Sequence, residues 1–201
     1  MRVIAGKFRS RELKSLKGMA LRPTSDRLRE TLFNVIAGGV EGSRFLDVFA
    51  GTGAVGIEAL SRGAREVVFI ENHAPAAALI KKNLESLGLR AGARVLALDA
   101  LRGLERLAGE AAAKPEAYDI AFLDPPYAAA EQYRRVLSYL GASALLAEGS
   151  MVIAEHRRNL DLPGTAGRLE RVRVVRQGDA GLSFYRCTIE NLRGGPAAEK
   201  T

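Results

Sequence analysis

The sequence predicts an α/β protein whose central sheet is mostly parallel and covered by helices on both faces. Three observations carry this. From residue 44 onward, short apolar runs alternate with segments of helical period. Several of those runs end in an acid that opens into a glycine- or proline-bearing loop. The final two apolar runs are joined by Gln177-Gly178-Asp179-Ala180-Gly181, a turn with no helix in it, which closes one edge of the sheet as an antiparallel hairpin.

The elements follow in order. Residues 2 to 16 read as two short strands turning near Lys7 to Ser10, and Lys17 to Pro23 as a loop. Thr24 or Ser25 then caps a helix with Asp26 in its first turn, where the helix dipole favours an anion. Leu28, Leu32, Val35 and Ile36 recur at helical spacing, which leaves Arg22, Arg27 and Arg29 for the solvent side, and Gly38-Gly39 ends the helix. Parallel strands are expected at Arg44 to Phe49, Glu66 to Glu71, Arg94 to Asp99, Asp119 to Asp124 and Met151 to Glu155, with helices starting near Val55, Ala74, Ala100 and Glu131. The hairpin pairs Arg171 to Arg176 with Leu182 to Ile189. The units expected are a basic hairpin and helix over 1–40, a catalytic domain over 41–192 and a frayed tail over 193–201.

Composition narrows the class. Apolar residues make up 47% of 201, enough for one domain with a real core, and with no Trp that core rests on Leu, Val, Ile and Ala. The lone Cys187 can form neither an internal disulfide nor a metal cluster and reads as a small buried hydrophobe, so no metal is expected. No signal-peptide core and no membrane-length apolar run is present, which points to the cytoplasm. Residues 1 to 30 hold nine Lys or Arg against three acids, whereas the rest of the chain is nearly neutral overall. Basic side chains interleaved with Val3, Ile4, Phe8 and Leu13 suit an ordered surface for a polyanion, since neutralising phosphates releases condensed counterions.

Between the first parallel strand and its helix lies Asp47-Val48-Phe49-Ala50-Gly51-Thr52-Gly53-Ala54-Val55-Gly56, a complete G-x-G-x-x-G. Glycines there let backbone approach a ligand at a helix N-terminus, and Glu71, twenty positions after Gly51, is placed to grip ribose hydroxyls. Asp99 closes the third strand in the same manner. A dinucleotide and S-adenosylmethionine both fit this pattern. Asp47 favours the second, because a carboxylate just before the loop repels a pyrophosphate and attracts ammonium and sulfonium charge. The donor contacts expected are Asp47, Phe49, Ala50, Gly51, Thr52, Gly53, Glu71, Asn72, Asp99 and Ala100. Glu58 reads as serving its own helix, and His73 and His156 as bystanders.

The fourth strand runs out into Asp124-Pro125-Pro126-Tyr127. Two consecutive prolines fix an extended turn and leave the carbonyls before them free to accept. An amine conjugated to an aromatic ring is a poor nucleophile. Asp124 and the Pro125 carbonyl can accept its N–H groups and stabilise the charge that grows during transfer, while Tyr127 offers a face for stacking.

With these residues placed, the chain resembles the RsmD family, bacterial methyltransferases of the small-subunit (16S) ribosomal RNA that act on the exocyclic N2 of a guanine. The resemblance rests on Arg2 to Lys7 with Arg11 and Leu13, on Leu21 to Asn34, on Asp47 to Gly56 with Glu58 to Ala64, and on Asp124 to Tyr127. It implies a Rossmann-like, seven-stranded class I methyltransferase fold with a small N-terminal hairpin and helix, S-adenosylmethionine as donor, and target contacts at Asp124, Pro125, Pro126 and Tyr127. It also implies that the N-terminal hairpin and helix help to hold 16S rRNA or the subunit, through Arg2, Lys7, Arg9, Arg11, Arg22, Thr24 and Arg27. Adenine-N6 methylation of DNA or RNA is the alternative that the same tetrapeptide would serve. A nicotinamide-dependent oxidoreductase is disfavoured by Asp47, and a non-catalytic RNA-binding assembly factor by the intact Asp124 to Tyr127.

Overall fold

The computed structural model describes residues 1–15, 25–113, 116–126 and 130–188. The predicted loop over residues 17–23, Arg22, Thr24, Tyr127, Ile189 and the tail lie outside these residues.

Eight strands form one sheet: β1 (Arg44–Val48), β2 (Glu66–Ile70), β3 (Ala93–Leu96), β4 (Tyr118–Leu123), β5 (Leu146–Arg157), β6 (Thr165–Ala166), β7 (Leu169–Gln177) and β8 (Ala180–Cys187), in the order β3-β2-β1-β4-β5-β8-β7-β6. The first five are parallel, and β8, β7 and β6 are added antiparallel, each to its neighbour. The two-residue β6 is the one strand beyond the seven expected. The helices are α1 (Asp26–Ile36), α2 (Ala54–Ser61), α3 (Ala74–Ser86), α4 (Ala100–Ala113) and α5 (Ala130–Ala142), with a 3-10 turn at Ala37–Gly39 after α1. Strand order reverses between β1 and β4, so the crevice at their carboxyl ends is where sheets of this kind bind ligands.

Two cores sandwich the sheet. On one face Leu28, Leu32 and Phe33 of α1 meet Ile57 of α2, Ile80 of α3 and the strand residues Phe45, Phe69 and Phe122. On the other, Leu104 and Leu107 of α4 and Val136, Leu137 and Leu140 of α5 pack on Leu46, Val68, Ala121 and Val152. Cys187 is fully buried in the second core, as its sequence context suggests.

The N-terminal segment differs from the two strands expected. Among the described residues its two arms form a single antiparallel bridge, Arg2 with Glu12, supported by main-chain bonds from Val3 to Arg11 (3.0 Å), Ser10 to Val3 (2.9 Å) and Leu13 to Met1 (2.9 Å), and the intervening residues turn. Side chains of the helices beneath hold it as well. Glu58 of α2, fully buried, accepts the amides of Ile4 (2.7 Å) and Ala5 (2.9 Å) as well as Arg62 Nε (2.8 Å). Ser61 Oγ accepts the Phe8 amide (2.9 Å), and Asn83 of α3 accepts the Lys14 amide (2.9 Å). Glu58 therefore serves the neighbouring segment as well as its own helix.

Arg29 also departs from expectation. It is fully buried rather than solvent-facing, donating to the Arg2 carbonyl (2.7 Å) and to Asp26 (2.9 Å), with its Nε 4.0 Å from Glu58. The reason is its helical position, between Ile36 and Phe33 on the inward face of α1, which the N-terminal segment covers and where Asp26 and the buried Glu58 supply the compensating charge. Burial lowers the Arg29 pKa, against the opposing pull of Asp26 and Glu58. Ser25, not the alternative Thr24, caps α1 by accepting the Leu28 amide (3.2 Å).

Candidate functional site

The carboxyl edges of β1, β2 and β4, with the loop leaving β3, bring the predicted carboxylates together around the glycine loop. Asp47, buried in the last turn of β1, points to the face carrying α2, and its Oδ2 accepts the Gly56 amide (2.9 Å), one of the otherwise unpaired N–H groups of the α2 N-terminus. Glu71, just past β2, bridges two loops, accepting the Gly51 amide at Oε2 (2.7 Å) and the His73 amide at Oε1 (2.8 Å). Asp99, exposed, accepts the Leu101 amide (3.0 Å) and so caps α4. Each acid shapes its own loop, and each carboxylate oxygen keeps a further lone pair.

Two glycines do distinct work. Gly53 caps α2 with φ of 76°, a left-handed conformation that glycine adopts without strain. At Gly56 a side chain would collide with the Phe69 ring and with Val67, so this glycine lets α2 lie close against β2. Phe49 takes φ of 65°, a sparsely populated conformation for a bulky residue, at the point where β1 gives way to the loop. Ala50, Thr52 and Gly53 are buried, and Asn72 is exposed beside Glu71. Ala100 is buried at the start of α4.

Asp124 follows β4 directly. Its amide reaches the Val48 carbonyl of β1 (3.4 Å), which ties the two strand ends across the reversal point. Pro125 is buried and Pro126 exposed. The β4–β5 register pairs Leu123 with Ala154, so Asp124 sits level with Glu155, a buried acid on β5 that sequence reasoning placed only as a strand end. The signal was there: Glu155 ends an apolar run as Asp47 and Asp124 do.

Charge crowding at this edge is marked. Burial, opposed by the Gly56 hydrogen bond and reinforced by Glu71, pushes Asp47 up to about 7. Burial, then Glu155 and Asp47, raise Asp124 well above the ordinary carboxylate range. A cation in the crevice would relieve both.

The remaining predicted residues are distributed as follows. Arg2, Lys7, Arg9, Arg11 and Arg27 are all exposed. Lys7 and Phe8 bond to Ser61 at the C-terminal end of α2, about 12 Å along an eight-residue helix from the glycine loop, so the turn lies toward the opposite edge of the sheet. His156 is buried, with its ring nitrogens 2.8 Å from the Arg157 carbonyl and from Ser183 Oγ, which is a structural role. Cavities of about 470 and 240 Å³ lie at the amino-terminal strand edges, away from these carboxylates. Among the described residues no cluster could hold a metal ion, and no helix is long and apolar enough to cross a membrane.

Comparison with known proteins agrees with this geometry. The family described as conserved hypothetical protein 95 matches residues 1–186. The Bacillus subtilis protein YlbH, provisionally named an rRNA methyltransferase, is 39% identical over 187 residues, covering 92% of this chain and 98% of its own. Ribosomal RNA small subunit methyltransferase D of Escherichia coli K12 is 36% identical over 200 residues, covering 99% and 94%. The solved structure of yhhF from Escherichia coli, provisionally named a methyltransferase, superposes with a TM-score of 0.79 at 29% identity, covering 94% of this chain and 98% of that one. The fold is thus the class I S-adenosylmethionine-dependent methyltransferase fold, and the chain belongs to the RsmD family.

Proposed function

We propose that this protein transfers a methyl group from S-adenosylmethionine to the exocyclic N2 of a guanine in small-subunit ribosomal RNA, acting in the cytoplasm on the free RNA or an assembling subunit. The observation that carries this reading is the junction of Asp124-Pro125-Pro126 with the Asp47 loop across the β1–β4 reversal point. Family membership supports the RNA as acceptor, through relatives named for small-subunit rRNA methylation.

The donor supplies a methyl carbon on a positively charged sulfur; the N–C bond forms as the C–S bond breaks, and the sulfur keeps the bonding pair. Asp47 and Glu71 anchor the glycine loop and draw a cation to the edge. Asp124 and the Pro125 carbonyl accept the two amine N–H groups and hold the nitrogen lone pair toward the methyl carbon. The proton then lost from nitrogen passes to Asp124 or to water. Since a base reacts only when unstacked, the guanine is unpaired or extruded, with Tyr127 as its stacking surface.

Transfer of labelled methyl groups to small ribosomal subunits, followed for the wild type and Asp124→Ala, tests the assignment. The wild type is expected to label the RNA, and the variant to bind donor equally well while transferring about a hundred-fold more slowly or worse. Full turnover by the variant would remove Asp124 from the chemistry.

A further inference from the structure

The terminal hairpin carries a second concentration of positive charge. Between residues 157 and 186 the chain has seven arginines, no lysine and three acids. Two of these arginines are held by described partners, Arg168 donating to the Ser143 and Leu146 carbonyls and Arg171 pairing with Asp161 (3.1 Å), while Arg186 stands opposite Glu170 in the β7–β8 register. Arg173 and Arg176 differ. Both are exposed on β7, and neither makes an ion pair with a described residue. Exposed Arg158 donates its guanidinium to the Gly178 carbonyl (3.3 Å) and its amide to the Asp179 carbonyl (2.8 Å) of the β7–β8 turn.

Register locates these groups relative to the carboxylate edge. Asp124 is level with Glu155, so Arg158 lies one strand over and three residues farther out, roughly 10 Å along at about 3.3 Å per residue. Arg176 pairs with Gly181, which pairs with His156, so it is level with the residue just past Glu155. The hydrogen bond from Thr31 to Gln177 (3.0 Å) joins α1 to the end of β7 and sets exposed Arg27, one helical turn before Thr31, beside the same turn. Of the acids nearby, Asp161 is held by Arg171, and Asp179 lies in the turn itself.

We propose that Arg173 with Arg27 on the α1 face of the sheet and Arg176 on the opposite face, with Arg158 at the strand end, flank the outer edge of β7 and form a phosphate-binding surface that grips the RNA backbone next to the target nucleotide. This inference rests on the methyltransferase reading above. The occupant is RNA because unpaired guanidinium groups on an exposed strand complement a polyphosphate, and because the surface adjoins the edge where the base must be presented. The N-terminal turn, at the far edge, then serves a more distant part of the RNA.

The experiment compares wild type, Arg173→Gln/Arg176→Gln and Arg173→Lys/Arg176→Lys for binding to naked 16S rRNA over a salt series, alongside donor affinity and labelled methyl transfer to small subunits. The glutamine variant is expected to bind about ten-fold more weakly near 0.1 M salt and to reduce the slope of log K against log salt by about 2. Its donor affinity should match the wild type, and the lysine variant should retain most of the binding. Unchanged affinity and slope in the glutamine variant, beside a wild type that methylates, would overturn this surface alone. A wild type that neither binds nor methylates the RNA would overturn the proposed function and this surface with it. Equal losses in donor affinity would mark the effect as structural and equally overturn it.

Discussion

Under the proposed function, Asp47 joins stability to donor binding through one buried carboxyl. In the folded protein it titrates at about 7, against 3.8 for an unperturbed group, so between those values the folded state holds a proton that the unfolded chain has released. Stability therefore falls as pH rises from about 4 to 7. At about 1.4 kcal/mol per pKa unit the loss is on the order of 4 kcal/mol. Asp47→Asn retains an acceptor for the Gly56 amide without the titration. Its stability relative to wild type, measured by denaturant unfolding, should improve as pH rises from 5 to 8; a constant difference would contradict the buried charge. A cationic donor favours the ionised form, so wild-type donor affinity should increase through pH 7 and the increase should be much reduced in the variant. Its place before the glycine loop marks this residue in the sequence as a candidate site acid, and its burial at the strand end was legible there. Its bond to Gly56 was not, because the bond depends on how closely α2 approaches the strand.

At the scale of elements, Glu58 and Arg29 determine how the N-terminal segment attaches. Glu58 accepts two main-chain amides from residues fifty-three and fifty-four positions away, and Arg29 closes the cluster from α1. Removing the carboxylate leaves those amides without their acceptor and the buried guanidinium with Asp26 as its one remaining carboxylate among the described residues. Glu58→Ala should lower stability by about 3–5 kcal/mol and speed hydrogen exchange at Ile4 and Ala5 relative to the β1 and β4 amides. Unaltered exchange at Ile4 and Ala5 would show that the segment is held by other contacts. Local pattern could not reveal this clasp. The spacing of Leu28, Leu32 and Ile36 defines the inward face of α1, and at about 100° per residue Arg29 lies between Ile36 and the buried Phe33 on that face; its charge, which reads as solvent-facing, conceals this until Glu58 and the N-terminal segment are placed around it. For the same reason the parallel strands were readable to within a few residues, each being an apolar run with an acid at its end. The N-terminal pair was legible as two arms about a turn but not in its extent, since one bridge joins the arms and side chains of α2 and α3 supply much of the rest of its support.

At the scale of the whole molecule, the fold puts the reacting edge and two basic regions in a defined arrangement. Alternation of strands and helices predicts the parallel sheet, but strand order is a property of topology, and only the order shows that β1 and β4 are neighbours and that β5, β8 and β7 continue the same edge. The summed charge of the chain conceals the arginines of the last hairpin, because acids elsewhere offset them. Hydrogen bonds and an ion pair separate Arg168 and Arg171, held by partners, from Arg173 and Arg176. The proposed picture has a donor crevice beside Asp47, a target amine beside Asp124, and RNA backbone carried across the end of the sheet. Its most direct test is to incubate the protein with S-adenosylmethionine and small ribosomal subunits lacking the modification, digest the RNA and identify the methylated nucleoside by mass spectrometry. N2-methylguanosine at one position is the predicted product; N6-methyladenosine, or no methylated nucleoside at all, would contradict the account.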